Sequence, residues 1–262
     1  MVPEPIDLDT ATMQALAQEI GFSETTFVTD AAGDRYAMRI FTPGRELPFA
    51  GHPTLGTVFV LVYEGRVRSP ATQVVEAGEI PVKVDLDANV AWMTQLPATF
   101  GPEFADRDLV ARAIGLTVSD LHPDLPVQKV STGLPPTIVP VRDLATLQRA
   151  TRDGRLVGEA VAASGGEELY LFALTEEGVT ARMFDAQFGI GEDPATGSAA
   201  GPLGVYLAEH GLAGMPGSVL IRQGEQVGRP SEIRVEVGRD GGTWRARVGG
   251  GVHIVGRGEF SI

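Results

Sequence analysis

Two short segments place polar side chains where an α-helix is expected to begin. One reads His52-Pro53-Thr54-Leu55-Gly56-Thr57, the other Asp193-Pro194-Ala195-Thr196-Gly197-Ser198. A polar residue before proline suits the cap and first position of a helix, where proline's missing amide hydrogen costs nothing. Helix starts present unpaired N–H groups and about half a positive charge. Two that meet would make a pocket for a carboxylate or an enolate-like anion. Gly56 and Gly197 would allow close backbone approach, while Thr57 and Ser198 add hydroxyls. His52 at such an end is expected to have its charged form disfavoured, leaving a neutral imidazole able to move a proton near neutrality. The same residue fits a cap without chemistry equally well. For Asp193 capping is the simpler reading. Ser198 has no base in a nucleophile-elbow context, which argues against a hydrolytic serine.

A third candidate is Glu24 in GFSETTFV, between a helix stop and a strand. A carboxylate drawn into an apolar pocket beside Phe22 and Phe27 would have its pKa raised, as acid–base catalysis requires. From this window alone, a loop glutamate bonded to a backbone amide is favoured.

Thr10–Ile20 reads as a helix with Met13, Leu16, Ala17 and Ile20 on one face, stopped by Gly21. Alternating or β-branched runs at 25–29, 36–41, 73–76, 80–84 and 90–95 are separated by turn residues. The segment GHPTLGTVFVLVYEG among them is nearly continuously apolar, as a helix buried on all sides would be. The second half repeats the scheme. Helical patterns cover 106–114 and 143–151, and strand patterns cover 127–131, 137–141, 168–173, 180–184, 218–222, 233–237 and 244–248. Among these lies DPATGSAAGPLGVYLAEHG, in which Pro202 should kink the helix and free the Ser198 carbonyl. The two apolar segments align, His52 against Asp193, about half the chain apart. This predicts two β-rich halves, each wrapped around one buried helix. The expected boundaries are 1–98 and 99–249, parted at PATFGPE, with 250–262 returning to the first half.

Composition narrows the partners. There are 34 acidic against 21 basic residues, a net charge of −13, and no Lys/Arg cluster. A nucleic acid or an anionic membrane would be repelled, so small molecules or further copies of the chain are expected. Cysteine is absent, which removes disulfides, thiolate metal sites and thiol nucleophiles. The four histidines are far apart, and no metal site is expected. No apolar run has membrane-spanning length. MVPEPIDLD is unlike a signal peptide, so the expected location is cytoplasmic.

SETTFV, RIFTPGRELPFAGHPTLGT, STGLP, EDPATGSAAG and QGEQVGRPSEI, in that order from Ser23 to Ile233, resemble the successive motifs of the PhzF-like family of phenazine biosynthesis. The resemblance implies an α+β fold like that of diaminopimelate epimerase: two similar domains, each a β-barrel-like sheet around a central helix. It implies an isomerase without cofactor, working as a homodimer on a small carboxylate-bearing substrate. The family's best-known reaction moves a proton between carbons of a dihydro-hydroxyanthranilate. Glu24 matches the family's acid–base residue, and His52, Asp193 and Ser198 match polar residues of the same site. The expected catalytic set is thus Glu24, His52 and Asp193. Gly51, Gly56, Thr57, Gly197 and Ser198 are the expected substrate-binding set. Related two-base epimerases pair two cysteines across the cleft, a version that the lack of cysteine excludes. In place of the family's opening strand and Gly-Asn-Pro turn stands MVPEPIDLD, so the first barrel is expected to miss an edge strand. The alternative to an enzyme is a non-catalytic small-anion binding or regulatory protein on the same fold.

Overall fold

In the computed structural model, residues 1–5, 7–186, 189, 191–213 and 217–259 are described. Helix α1 (Thr10–Ile20) is capped by Asp9, which accepts from the Thr12 amide at 2.7 Å, and ends at Gly21 in the left-handed region, φ 69°. There follow β1 (Thr25–Ala32), β2 (Arg35–Phe41), β3 (Glu46–Leu47), α2 (Gly51–Tyr63), β4 (Ala71–Val75), β5 (Gly78–Asp85) and β6 (Val90–Thr94). The second half supplies β7 (Thr99–Glu103), α3 (Arg107–Ala113), β8 (Gln128–Ser131), β9 (Pro136–Pro140), α4 (Leu144–Arg149) and α5 (Gly154–Ser164). It continues with β10 (Glu168–Thr175), β11 (Gly178–Asp185), β12 (Glu192–Asp193), α6 (Gly197–Glu209), β13 (Gly217–Gln223), β14 (Ser231–Asp240) and β15 (Thr243–Gly251).

Thirteen strands follow one path, β1-β2-β4-β5-β6-β15-β14-β13-β11-β10-β9-β8-β7, with β3 beside β2 and β12 beside β11. The repeat is visible in this order. In the first half β2 and β4 run parallel, and in the second β11 and β13 do. A parallel pair needs a crossover connection, and the crossovers are α2 and α6, the two central helices. Around α6 the burial is nearly complete, from Gly197 to Ala208. Its small residues are what permit this. A Cβ at Gly204 would lie 2.6 Å from Val235, and one at Gly201 would overlap the Gln95 side-chain amide. Helix α2 is buried along one side but ends in an exposed Tyr63.

One apolar core runs from β2, α2 and β5 through to α6, β14 and β15. A second lies under α3, α4 and α5, on the outer side of β9–β11. Strand alternation assigns the faces. In β10, Leu169, Leu171 and Ala173 join the outer core, while Tyr170 and Phe172 join the inner one against α6. In β11, Val179, Ala181 and Met183 face inward and Phe184 outward.

Several elements differ from expectation. Helix α5 is not among the expected helices; Asp153 caps it, Gly165 ends it in the left-handed region, and Val157, Ala160 and Val161 are its buried face. Pro202 sits inside α6 without ending it. The helix starts also move. Ala50 and Thr196 are the residues before the first turns, so Pro53 lies within α2 and Pro194 lies ahead of α6. Gly51 and Gly197 therefore correspond, and His52 corresponds to Ser198 rather than to Asp193. The N-terminal residues supply a minimal edge to β1. Val2 donates to the Thr26 carbonyl at 2.7 Å, and its own carbonyl accepts from Val28 at 3.1 Å. At the other end, Arg247–Gly251 of β15 pair with Val90–Thr94 of β6. The described residues beyond Gly251 form no strand, and 260–262 lie outside the described residues.

Candidate active site

The two central helices meet end to end at their N-termini. A Cβ on Gly51 would lie 2.5 Å from the Ser198 nitrogen, and one on Gly197 would lie 3.4 Å from the Gly51 Cα. Beside this contact is a small, narrow cleft, lined by Glu24, Leu47, Ala50, Gly51, His52, Leu134, Glu168, Met183, Asp193, Thr196 and Ser198. Five of the eight expected site residues, Glu24, Gly51, His52, Asp193 and Ser198, thus share one lining, with Gly197 packed behind it. Gly56 and Thr57 are a turn further along α2 and do not line it. The Thr57 hydroxyl is buried against that of Thr26, 2.9 Å away, and ties α2 to β1 two residues from Glu24. Thr57 therefore positions the strand rather than facing the cleft.

Glu24 precedes β1 with the inward parity of Thr26 and Val28. Its Oε2 lies 2.8 Å from His52 Nε2, and the glutamate side chain is 10% exposed against 41% for the histidine. The other ring nitrogen, Nδ1, donates to the Ala195 carbonyl at 3.2 Å. That bond fixes the hydrogen on Nδ1 and points Nε2 at the carboxylate.

The electrostatics reverse two expectations. Burial disfavours a charged His52, but the Glu24 carboxylate outweighs it, with Asp193 and the Ala195 carbonyl adding to the effect; the pKa rises to about 9. The nearby carboxylates override the helix end, so the imidazole is charged rather than neutral. Burial likewise pushes Glu24 up, but the charge and hydrogen bond of His52 bring it below its usual value. The expected apolar pocket does not form. Phe22 is 70% exposed, and Phe27 faces away, edge-on to Phe41 with ring centroids 5.6 Å apart. Asp193 is raised, by burial first, with Glu24 adding and His52 opposing.

Asp193 is not a helix cap. It sits on β12, opposite Met183, and accepts from the Thr196 hydroxyl at 2.7 Å. The buried side chains of Arg182 and Gln223 hold that strand. Arg182, 6% exposed, grips Glu192 with two parallel bonds of 2.8 and 2.7 Å and donates to the carbonyls of Leu147 and Ala150. Arg39 grips Glu46 of β3 in the same fashion, at 2.7 and 2.6 Å. Gln223 donates to the Asp193 carbonyl at 2.7 Å and to the Thr196 hydroxyl at 2.8 Å, while its oxygen accepts from Tyr170 and the Thr196 amide. Gln95 donates to the Gly197 carbonyl at 2.9 Å and accepts from Thr132. Neither glutamine stands out in the sequence, although Gln223 opens the QGEQVGRPSEI motif. Their roles depend on strand register with residues far away in the chain.

The chemistry available is proton transfer. An ionised Glu24 can take a proton from carbon, and a charged His52 and the first-turn amides of two helices can stabilise the negative charge that develops. Among the described residues no group of three His, Asp or Glu side chains has metal-binding geometry.

Known proteins agree with this frame. A model of the family described as phenazine biosynthesis-like protein matches residues 2–258. The trans-2,3-dihydro-3-hydroxyanthranilate isomerase of Pseudomonas chlororaphis is 33% identical over 270 residues, covering 98% of this chain and 90% of that one. The crystal structure of a PhzF-family phenazine biosynthesis protein from Bacillus anthracis superposes with a TM-score of 0.82 at 29% identity, over 93% of this chain and 86% of that one. A hydroxyproline epimerase from Agrobacterium vitis, 14% identical, shares the fold at a TM-score of 0.60, over 87% of this chain and 71% of that one. No helix among the described residues is long and apolar enough to cross a membrane. With this α+β fold of the diaminopimelate epimerase type and a match along nearly its whole length, the chain belongs to the phenazine biosynthesis-like family, whose PhzF-type members are isomerases.

Proposed function

We propose that the protein is a cofactor-independent isomerase that moves a proton within a small carboxylate-bearing substrate, in the cleft between its two halves. The observation that carries this reading is the 2.8 Å contact between Glu24 and His52 at the meeting of two helix N-termini. Glu24 removes a proton from carbon and returns it to another atom. His52 and Asp193 hold polar substituents, and amides around Gly197 and Ser198 take the carboxylate. The relative named a trans-2,3-dihydro-3-hydroxyanthranilate isomerase supports a cyclic amino acid as the first compound to try. The homodimer implied by the family resemblance is measured by sedimentation velocity.

The test is incubation with trans-2,3-dihydro-3-hydroxyanthranilate in deuterium oxide, followed by NMR. The expected result is isomerisation with deuterium entering at carbon. Tight binding with neither isomerisation nor exchange would replace this reading, for that compound, with the non-catalytic small-anion binding protein.

A further inference from the structure

Glu168 is the first residue of β10 and shares the inward parity of Tyr170 and Phe172. It lines the same cleft as Glu24 and is 1% exposed. Neither of its carboxyl oxygens has a hydrogen-bond partner among the described residues. The charged groups around it are mostly acidic. Asp185 stands directly across the β10–β11 ladder, Glu24 and Asp193 share the cleft, and Glu167 is next in the chain. The cations nearby are engaged elsewhere: His52 with Glu24, Arg45 with Glu167 at 3.1 Å, and Arg152 with the Asp185 carbonyl at 2.8 Å. A buried carboxylate with no hydrogen-bond partner and mainly acidic neighbours is so costly that the group neutralises instead. Glu168 also occupies, in the second half, the place that Glu24 occupies in the first: each stands at the head of a strand that leads to the crossover strand, β2 or β11.

We propose that Glu168 is a substrate-binding residue: an un-ionised carboxylic acid whose O–H donates to an anionic oxygen of the ligand. The proposal deepens the function read above and rests on it. It settles the charge balance of the pocket. Three ionised carboxylates would repel the anion that the helix starts attract, whereas a neutral Glu168 removes one negative charge and adds a donor. The same surroundings push its pKa up to about 8, burial first, then Asp193, Glu167, Asp185 and Glu24. A bound anion raises it further, so binding at mildly alkaline pH takes up a proton.

The experiment uses benzoate as the probe, with titration calorimetry at about pH 8.5 in two buffers of different ionisation enthalpy. The expected result is net proton uptake on binding to the wild-type protein, and clearly less in Glu168→Gln, where only His52 is left to take up a proton. The wild-type affinity should fall about ten-fold between pH 7 and 9.5, and the Gln variant, which cannot ionise, should fall by clearly less. His52 contributes to both curves equally, so the difference belongs to Glu168. Glu168→Leu, which keeps the site apolar but removes the donor, should bind at least about ten-fold more weakly at every pH. A second readout needs no ligand: the infrared carbonyl band of a protonated carboxyl should vanish between pH 6 and 10 in the wild type and be missing in Glu168→Gln. Undiminished proton uptake in the Gln variant, wild-type affinity in the Leu variant, absence of the band, or failure of benzoate to bind the wild type would each overturn the proposal. Deuterium exchange into the dihydro-hydroxyanthranilate separates this outcome from the fate of the isomerase reading. Exchange with an unaltered Glu168→Gln profile sinks only the Glu168 role, and uptake without exchange sinks only the isomerase.

Discussion

Gly51 and Ser198 touch where the two central helices begin, with the Ser198 nitrogen 2.5 Å from where a Cβ on Gly51 would stand. The obstacle is backbone, which cannot swing aside as a side chain could. Gly51→Ala must therefore separate the helix ends, at a cost of about 1–3 kcal/mol. The cleft widens with them, so exchange activity falls as well as the unfolding midpoint. Gly56→Ala is the control. Nothing lies within 4 Å of its would-be Cβ, and alanine in a helix is worth roughly 0.5–1 kcal/mol over glycine. Thermal unfolding of the pair should show one variant below the wild type and the other at or above it.

Glu24→Gln keeps the size and most of the hydrogen bonding of the side chain but cannot accept a proton. Turnover should fall by about 10²–10⁴-fold while substrate binding persists. His52→Asn should lose less. Removing the imidazolium takes away the charge that lowers Glu24, leaving burial to raise it. The acid limb of the kcat/KM profile in His52→Asn should accordingly move to higher pH. An unmoved limb would mean that Glu24 is not the group that titrates.

Stability should depend on pH through the same pair. His52 has a folded pKa of about 9 against an ordinary 6.5, so its contribution is complete below pH 6.5 and lost as pH rises through 9. Glu24 has a lowered pKa, so its contribution is present above about pH 4.5 and lost as pH falls through the folded value. The two overlap fully between about pH 4.5 and 6.5. Unfolding midpoints measured from pH 6.5 to 9 should decline in the wild type and decline less in His52→Gln.

Gln223→Leu removes three hydrogen bonds donated to or accepted from the segment that carries Asp193 and Thr196, plus one from Tyr170. The partners are buried, and leaving buried groups unsatisfied costs about 1–3 kcal/mol each before relaxation. Stability should fall by more than about 2 kcal/mol, with a loss of activity beyond that of Thr196→Val, which removes only one of these partners. Chemical denaturation and the deuterium-exchange assay check the two parts.

The sequence made the cleft legible where its logic is local. His52-Pro53 and the glycine-rich start of α6 announce helix beginnings, and the alternating runs announce strands. The register of the repeat was not legible, because Pro53 and Pro194 attract each other in alignment while the chain begins its helices at Gly51 and Gly197. Nor could the charge of His52 be read, since it is set by carboxylates from the segment before β1 and from β12, distant in sequence. Glu168 looked like an ordinary strand residue. Its meaning comes from the parity of β10 and from finding no partner once the other half closes over it.

The pairing of Arg247–Gly251 with β6 has a consequence for how the chain is made. Synthesis delivers Val90–Thr94 roughly 150 residues before the strand that covers its free edge. At ribosomal speeds of about 5–20 residues per second, that interval is on the order of ten to thirty seconds. During it the nascent first half carries an open row of amides and carbonyls, with Ala91 and Met93 alongside, which in the finished protein are wholly buried. Exposure to aggregation in the cell is therefore governed by the rate of translation and by chaperones near the exit tunnel, not by the stability of the completed fold.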